Sequence, residues 1–196
     1  AAKTLGIPNF CIGHGASGNA KFSKQTTSEM LLTDYYFSQG KGINKQNFLY
    51  NNKFPARIIP TGLASIDSLN IDTGWPARYL FLYVITGYYQ NHFYFSHYPG
   101  IIPNDLYYSA CTILDCLCRF DQCSLIKPAT EPLAMYNSYI NNKSLQFKPD
   151  HKFIDLINQA EAIIIDAPTT TLLESLMTNK PIFVLTKYIQ LTPLAD

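Results

Sequence analysis

The sequence predicts an α/β fold, namely a Rossmann-like parallel sheet with helices on both faces. Predicted helices and strands alternate through the second half of the chain, which favours a parallel sheet covered on both sides. The apolar runs at residues 163–165 and 182–185 are short and largely β-branched, as strands buried on both faces tend to be. A polar turn and a helix signal lie between these two runs, so that together they predict a βαβ unit.

The helix of this unit has clear predicted ends. Thr171, followed three residues later by Glu174, fits a capping box, and Asn179 and Pro181 favour the end of the helix. Its N-terminus follows the carboxyl end of a strand, where free N–H groups and the helix macrodipole favour a bound phosphate. The alternative interpretation is a threonine-rich cap that binds nothing.

The remaining elements follow from apolar periodicity. Strands are predicted at residues 6–12, 34–37, 57–59, 79–85 and 124–126. One helix begins at the cap residue Asn104, and a second covers residues 150–160 with Asp150 as its cap. The apolar stripe of the first helix consists of Leu106, Ala110, Ile113, Leu114 and Leu117. The inward face of the second consists of Phe153, Leu156, Ile157 and Ala160.

Length and composition favour one domain over residues 1–196, because 47% hydrophobic content supplies a full core. With 15 basic and 14 acidic residues and no basic run, the chain lacks the charge pattern of a general nucleic-acid binder. No apolar run approaches the roughly 20 residues that span a bilayer, and residues 1–8 do not resemble a secretion signal. We therefore expect a cytoplasmic protein. Both ends look interrupted, which predicts a piece of a larger protein.

The cysteines predict free thiols. Their number, five, is odd in a chain of ordinary size, which favours a reducing compartment over a disulfide framework. Four of them lie within residues 111–123 in the pattern C-x4-C-x-C-x4-C, which differs from the paired spacing of structural zinc sites. We expect no metal site here and interpret these cysteines as small buried apolar side chains.

Three turns that follow predicted strands carry the candidate binding residues. Ligands of parallel sheets bind outside the carboxyl ends of the strands, so we expect these turns to line one crevice. The first turn is glycine-rich and contains Gly13, His14, Gly15 and Ser17. The second contains Lys127, and the third contains Thr169, Thr170 and Thr171.

The order of four segments resembles a known group of enzymes. These segments are Gly-His-Gly at residues 13–15, Ile-Pro-Thr-Gly-Leu-Ala-Ser-Ile-Asp-Ser-Leu at 59–69, Lys-Pro at 127–128 and Asp-Ala-Pro-Thr-Thr-Thr at 166–171. Together they resemble the C-terminal, donor-binding half of GT-B-type transferases. The resemblance is greatest to the CDP-glycerol glycerophosphotransferase and surface-carbohydrate glycosyltransferase families, and it is spread over most of the chain.

The resemblance implies a role for each matching residue. His14 would be the catalytic base that deprotonates an acceptor hydroxyl, and its ordinary pKa near neutrality suits that task. Glu174 would either bind ribose hydroxyls or complete the helix cap. The implied donor- and phosphate-binding residues are Gly13, Gly15, Ser17, Gly62, Lys127, Thr169, Thr170, Thr171 and Glu174. No cofactor is implied beyond the nucleotide-activated donor, which is a substrate.

The implied activity is transfer from a nucleotide-activated sugar or polyol phosphate in the synthesis of surface polysaccharide or a teichoic-acid-like polymer. The CDP-glycerol families usually carry Lys-x-His-Pro, whereas residues 127–132 contain no histidine, so a nucleotide sugar is at least as compatible a donor. The acceptor would be lipid-linked or polymeric and would belong to a missing N-terminal domain, through which the protein would associate peripherally with the inner membrane face. We expect the isolated chain to be inactive alone. Two alternatives remain open, a UDP-sugar 2-epimerase-like enzyme and a non-catalytic nucleotide-binding or scaffold module.

Overall fold

The strands fall into two parallel sheets. The computed structural model describes residues 6–13, 30–38, 55–62, 76–85, 103–128, 133–166 and 170–185. Packing divides the chain into two compact units, one of Ala1–Leu69 with Gln190–Asp196 and the other of Asn70–Ile189. Every described strand pair is parallel, which confirms the predicted α/β class with a Rossmann-like arrangement.

The first unit contains a three-stranded sheet of β1 (Phe10–Ile12), β2 (Tyr35–Ser38) and β3 (Arg57–Pro60), in the order β1-β2-β3. The strand predicted over residues 6–12 is therefore too long. Gly6 has a positive φ of 67°, outside the extended region, and Pro8 has no N–H for a ladder. Pairing begins only at Asn9, whose carbonyl accepts the N–H groups of Asp34 and Tyr35.

The second unit contains a five-stranded sheet in the order β6-β5-β4-β7-β8. Its strands are β4 (Tyr79–Ile85), β5 (Ser124–Pro128), β6 (Leu145–Phe147), β7 (Ala160–Ile165) and β8 (Ile182–Val184). Its helices are α1 (Pro103–Leu117), α2 (Asn137–Ile140), which follows a 3-10 turn at Leu133–Tyr136, α3 (Phe153–Ile157) and α4 (Thr170–Leu176). The bounds predicted for β4 are confirmed.

Helices cover both faces of this second sheet, as predicted. Alternate residues of β4 point to opposite sides, because side chains of a strand alternate with a period of two. Leu82 and Val84 pack in one core cluster with α3 and with Leu172 of α4. Tyr83 and Ile85 pack in a second cluster with α1 and the 3-10 turn.

The described part of the stripe predicted for α1 forms the buried face of this helix, and the side chain of Leu106 lies outside the described residues. Ala110, Leu114 and Leu117 are at most 2% exposed, and Ile113 packs against the same cluster. The predicted cap at Asn104 is wrong, because the helix begins one residue earlier at Pro103. Proline suits the first helical position, where its missing N–H would have no intrahelical partner.

The helix predicted over residues 150–160 is much shorter in the structure. α3 starts after Lys152 rather than Asp150, and Ala160 already belongs to β7. The carbonyl of Gln159 accepts the N–H groups of Arg78 and Tyr79, which draws the chain into the sheet. The four inward residues predicted for this segment are nevertheless all buried, namely Phe153, Leu156, Ile157 and Ala160.

Candidate functional site

The strand order creates a topological switch point in the second sheet. From β4 the chain moves outward through β5 to β6 on one side, and it then returns to form β7 and β8 on the other. The switch point therefore lies between β4 and β7, at the carboxyl ends Ile85 and Ile165. In open parallel sheets, ligands bind in the crevice outside this position.

The segment after β7 leads from the switch point into α4. Asp166, the first residue after the strand, is 9% exposed, and α4 begins at Thr170. Thr170 and Thr171 are both half-buried, whereas Thr169 lies outside the described residues. Asp166 was not among the predicted site residues, although its position directly after a strand was a signal for it.

The predicted capping box is wrong. Thr171 lies inside the first turn of α4, so Glu174 is not three residues beyond the cap. Within the helix, the carbonyl of Thr171 accepts a hydrogen bond from the hydroxyl of the buried Ser175 at 2.6 Å. Of the two roles considered for Glu174, completion of a cap at Thr171 is thereby removed.

Glu174 is half-buried on α4. Burial raises the pKa of its carboxyl group above the ordinary value, because the ionised form loses hydration. Among the described residues, no cation pairs with this carboxylate. A hydroxyl-rich ligand would supply hydrogen bonds in place of the lost water.

Lys127 lies at the carboxyl end of β5, on the same sheet edge. Its register aligns it with Val84 of β4, and Val84 aligns in turn with Ile165 of β7. Two interstrand spacings separate Lys127 from Ile165, which corresponds to about 10 Å. The ammonium Nζ donates to the carbonyls of Pro128 and Pro149, each at 2.9 Å, so contacts with the described residues use two of its three N–H groups. Burial lowers the pKa of Lys127, and the charge of Asp150 opposes that shift.

The remaining predicted residues belong to the first unit. Gly13 directly follows β1, and its N–H donates to the carbonyl of Phe37 at 2.9 Å. Gly62 follows β3 with a positive φ of 77°, which favours glycine. His14, Gly15 and Ser17 lie outside the described residues.

The structure thus brings four predicted residues to one edge of the second sheet: Lys127, Thr170, Thr171 and Glu174. Gly13 and Gly62 lie at the carboxyl ends of strands in the other sheet. The single crevice expected for all three turns stays a prediction.

The four cysteines of the second unit are free thiols, and their interpretation as buried side chains is wrong, because Cys116 is exposed and the other three are half-buried. In the part of the chain that the structure describes, no group of three or more His, Cys, Asp or Glu side chains is arranged to hold a metal ion. Within the same ranges, no helix is both long enough and apolar enough to cross a bilayer. Comparison with known protein families finds no match, and no curated protein is significantly similar to this chain.

Proposed function

We propose that this chain is the donor-binding part of a transferase that uses a nucleotide-activated sugar or polyol phosphate. The reaction would serve the synthesis of surface polysaccharide or a teichoic-acid-like polymer at the cytoplasmic side of the membrane. The observation that carries the proposal is the strand order β6-β5-β4-β7-β8, because its switch point lies directly before the threonine-rich start of α4.

The chemistry of this sheet edge suits a nucleotide diphosphate. Thr170 and Thr171 provide hydroxyl groups, and Lys127, whose backbone position in β5 lies about 10 Å from the end of β7, provides a charged donor. Donors held in a partly water-free site stabilise the negative charge that develops on a leaving nucleotide. Lys127 is well suited to this because its two carbonyl partners fix the position of the ammonium group.

Glu174 and His14 complete the proposal. The half-buried carboxylate of Glu174 would accept hydrogen bonds from ribose hydroxyls, which compensate for the hydration that burial removes. His14 would take the proton of the acceptor hydroxyl, the role that the resemblance to GT-B-type transferases implies. The lipid-linked or polymeric acceptor would be bound elsewhere in the protein.

A thermal-shift screen with CDP-, UDP-, GDP- and CMP-linked donors tests this function. Ligand binding to the folded state raises the apparent Tm, by the equivalent of about 2.7 kcal/mol at a hundred times the Kd. We expect stabilisation by one donor class, loss of it in Thr170→Val, and its retention in Thr112→Val, an exposed threonine of α1.

The variant His14→Ala separates donor binding, measured in the same screen, from transfer, measured in a separate activity assay. We expect this variant to keep the donor-induced rise in Tm and to abolish transfer in the full-length protein. Absence of stabilisation by all four donor classes would contradict donor binding. Full transfer activity in His14→Ala would contradict the assigned base.

A further inference from the structure

A cavity of about 330 Å³ opens at the other edge of the second sheet, at the amino ends of β4, β5 and β6. Tyr79 begins β4, Cys123 precedes β5, and Asn142 and Lys143 precede β6. This volume is at the lower end of the range for small-molecule pockets. None of the predicted donor-binding residues that the structure describes lines this amino-edge cavity, which lies at the opposite edge of the sheet from the switch point.

The lining of the amino-edge cavity is positively charged. Arg78 and Lys143 both contribute to it, and none of the described residues that line it is acidic. The guanidinium carbon of Arg78 lies 5.8 Å from the centroid of the Tyr79 ring, within the range of a cation–π contact. This contact restrains the arginine at the cavity wall. Glu161 is an exposed acidic residue of β7, but it does not line the cavity. Its charge acts on Lys180, which does not line the cavity either.

Two amide side chains of the cavity present hydrogen-bond donors. The buried Tyr79 hydroxyl donates to Oε1 of Gln146, so the oxygen of this amide is engaged and its NH₂ group remains as a donor. Oδ1 of Asn142 accepts the N–H of Ser144 at 2.8 Å, with the same consequence for the Asn142 amide. The wall therefore combines a guanidinium, an ammonium and two NH₂ groups.

We propose that the amino-edge cavity binds the phosphate group of a small phosphomonoester. Arg78 and Lys143 neutralise its charge, and Asn142 and Gln146 donate to its remaining oxygens. A phosphate offers three or more strongly accepting oxygens against the two of a carboxylate, so it matches four donor-bearing side chains better. The cavity also has room for a small organic group, because it equals about ten water volumes. This inference is independent of donor binding at the switch point.

A two-dimensional ¹H–¹⁵N NMR titration of the 196-residue chain tests the proposal. The probes are inorganic phosphate and methyl phosphate, each added at constant ionic strength. We expect saturable shifts at Arg78 and at residues 142–146, and an increase of at least tenfold in Kd in Arg78→Gln/Lys143→Gln. The control Arg119→Gln/Lys152→Gln removes two exposed cations away from the cavity and should retain the wild-type Kd.

The outcomes separate the sources of phosphate. Binding of methyl phosphate at least as tight as that of inorganic phosphate supports a phosphomonoester, and clearly weaker binding overturns it in favour of the free ion. Shifts that never saturate, or an equal Kd in both double variants, overturn the site. Shifts at Thr170 or Glu174 would report the switch point and would persist in Arg78→Gln/Lys143→Gln, so the two sites are distinguished. The amide spectrum of each variant also verifies that it is folded.

Discussion

Gly13 has a packing role that its motif does not reveal. A Cβ atom at this position would lie 2.6 Å from the hydroxyl oxygen of Tyr36, a side chain that is 3% exposed. In the sequence analysis, Gly13 was assigned only to the implied donor- and phosphate-binding residues. The structure adds a constraint from the neighbouring strand, which applies whether or not a ligand binds.

We expect Gly13→Ala to lower the free energy of unfolding by about 1–3 kcal/mol, because a well-packed site must shift to accept the methyl group. Urea denaturation measures this change. In the Tyr36→Phe background the same substitution should cost less, since the oxygen nearest the new Cβ is gone. Gly62→Ala is the control, because no atom lies within 4 Å of its Cβ position and its cost of about 1–2 kcal/mol comes from the positive φ alone. An equal cost of Gly13→Ala in both backgrounds would refute the proposed clash.

At the scale of elements, Lys180 connects the start of β8 to the end of α3 and the start of β7. Its Nζ donates to the carbonyl of Asn158, the C-cap of α3, at 3.1 Å and to the carbonyl of Ala160. A cation near the last carbonyls of a helix is favourable both as a donor and towards the helix dipole. A short helix of five residues needs such tertiary contacts to persist.

Lys180→Met keeps the length of the side chain and removes the donor. We expect a loss of about 1–3 kcal/mol in the free energy of unfolding, because two carbonyls lose their partner. Lys152→Met, at an exposed position before α3, is the matched control and should change stability by less than about 0.5 kcal/mol. Chemical denaturation of both variants at one pH compares them. A loss no larger than that of the control would show that the Lys180 contacts contribute nothing.

Elements were predictable where local pattern and tertiary environment agree. The bounds of β4 follow from one aromatic and β-branched run, and the buried face of α1 follows from helical spacing. The periodicity of residues 153–160 also predicted a helix up to Ala160. In the structure, the carbonyl of Gln159 accepts hydrogen bonds from the N–H groups of Arg78 and Tyr79, about 80 residues away in sequence. Local periodicity contains no information on such a partner. β6 has three residues, too few for any period to be recognised.

At the scale of the whole molecule, partly buried charges shape the dependence of stability on pH. Burial raises the pKa of Glu174 and lowers the pKa values of Lys127 and Lys180. A carboxyl group whose pKa is higher in the folded than in the unfolded state binds more protons when folded. Its contribution to folding stability is therefore present below the ordinary pKa of the unfolded state and is lost as the pH rises through the raised pKa of the folded state. Lys127 and Lys180 affect the pH dependence of stability only in the alkaline range. There the free energy of unfolding increases with pH, because the folded state loses these protons more readily than the unfolded state.

Glu174→Gln should consequently be more stable than the wild type at pH 7, and this advantage should shrink as the pH falls towards 4, because Glu174 becomes increasingly protonated in both states. The substitution preserves shape and removes the charge that burial disfavours. Urea midpoints measured from pH 4 to pH 8 give the comparison. Asp121→Asn, at an exposed site before β5, serves as the control for a change in net charge. An advantage of Glu174→Gln that does not change with pH would contradict the assigned cause.

β4 runs from the amino-edge cavity at Tyr79 to the switch point at Ile85. Seven extended residues cover about 20 Å, so a phosphate compound at one end of the strand cannot touch a nucleotide at the other. Mutual exclusion of the two ligands would then have to arise from movement of the strand itself, and simultaneous occupancy is the simpler expectation. A saturating nucleotide donor would leave the phosphate Kd unchanged, and the central strand would act as a fixed spacer between two separately filled positions.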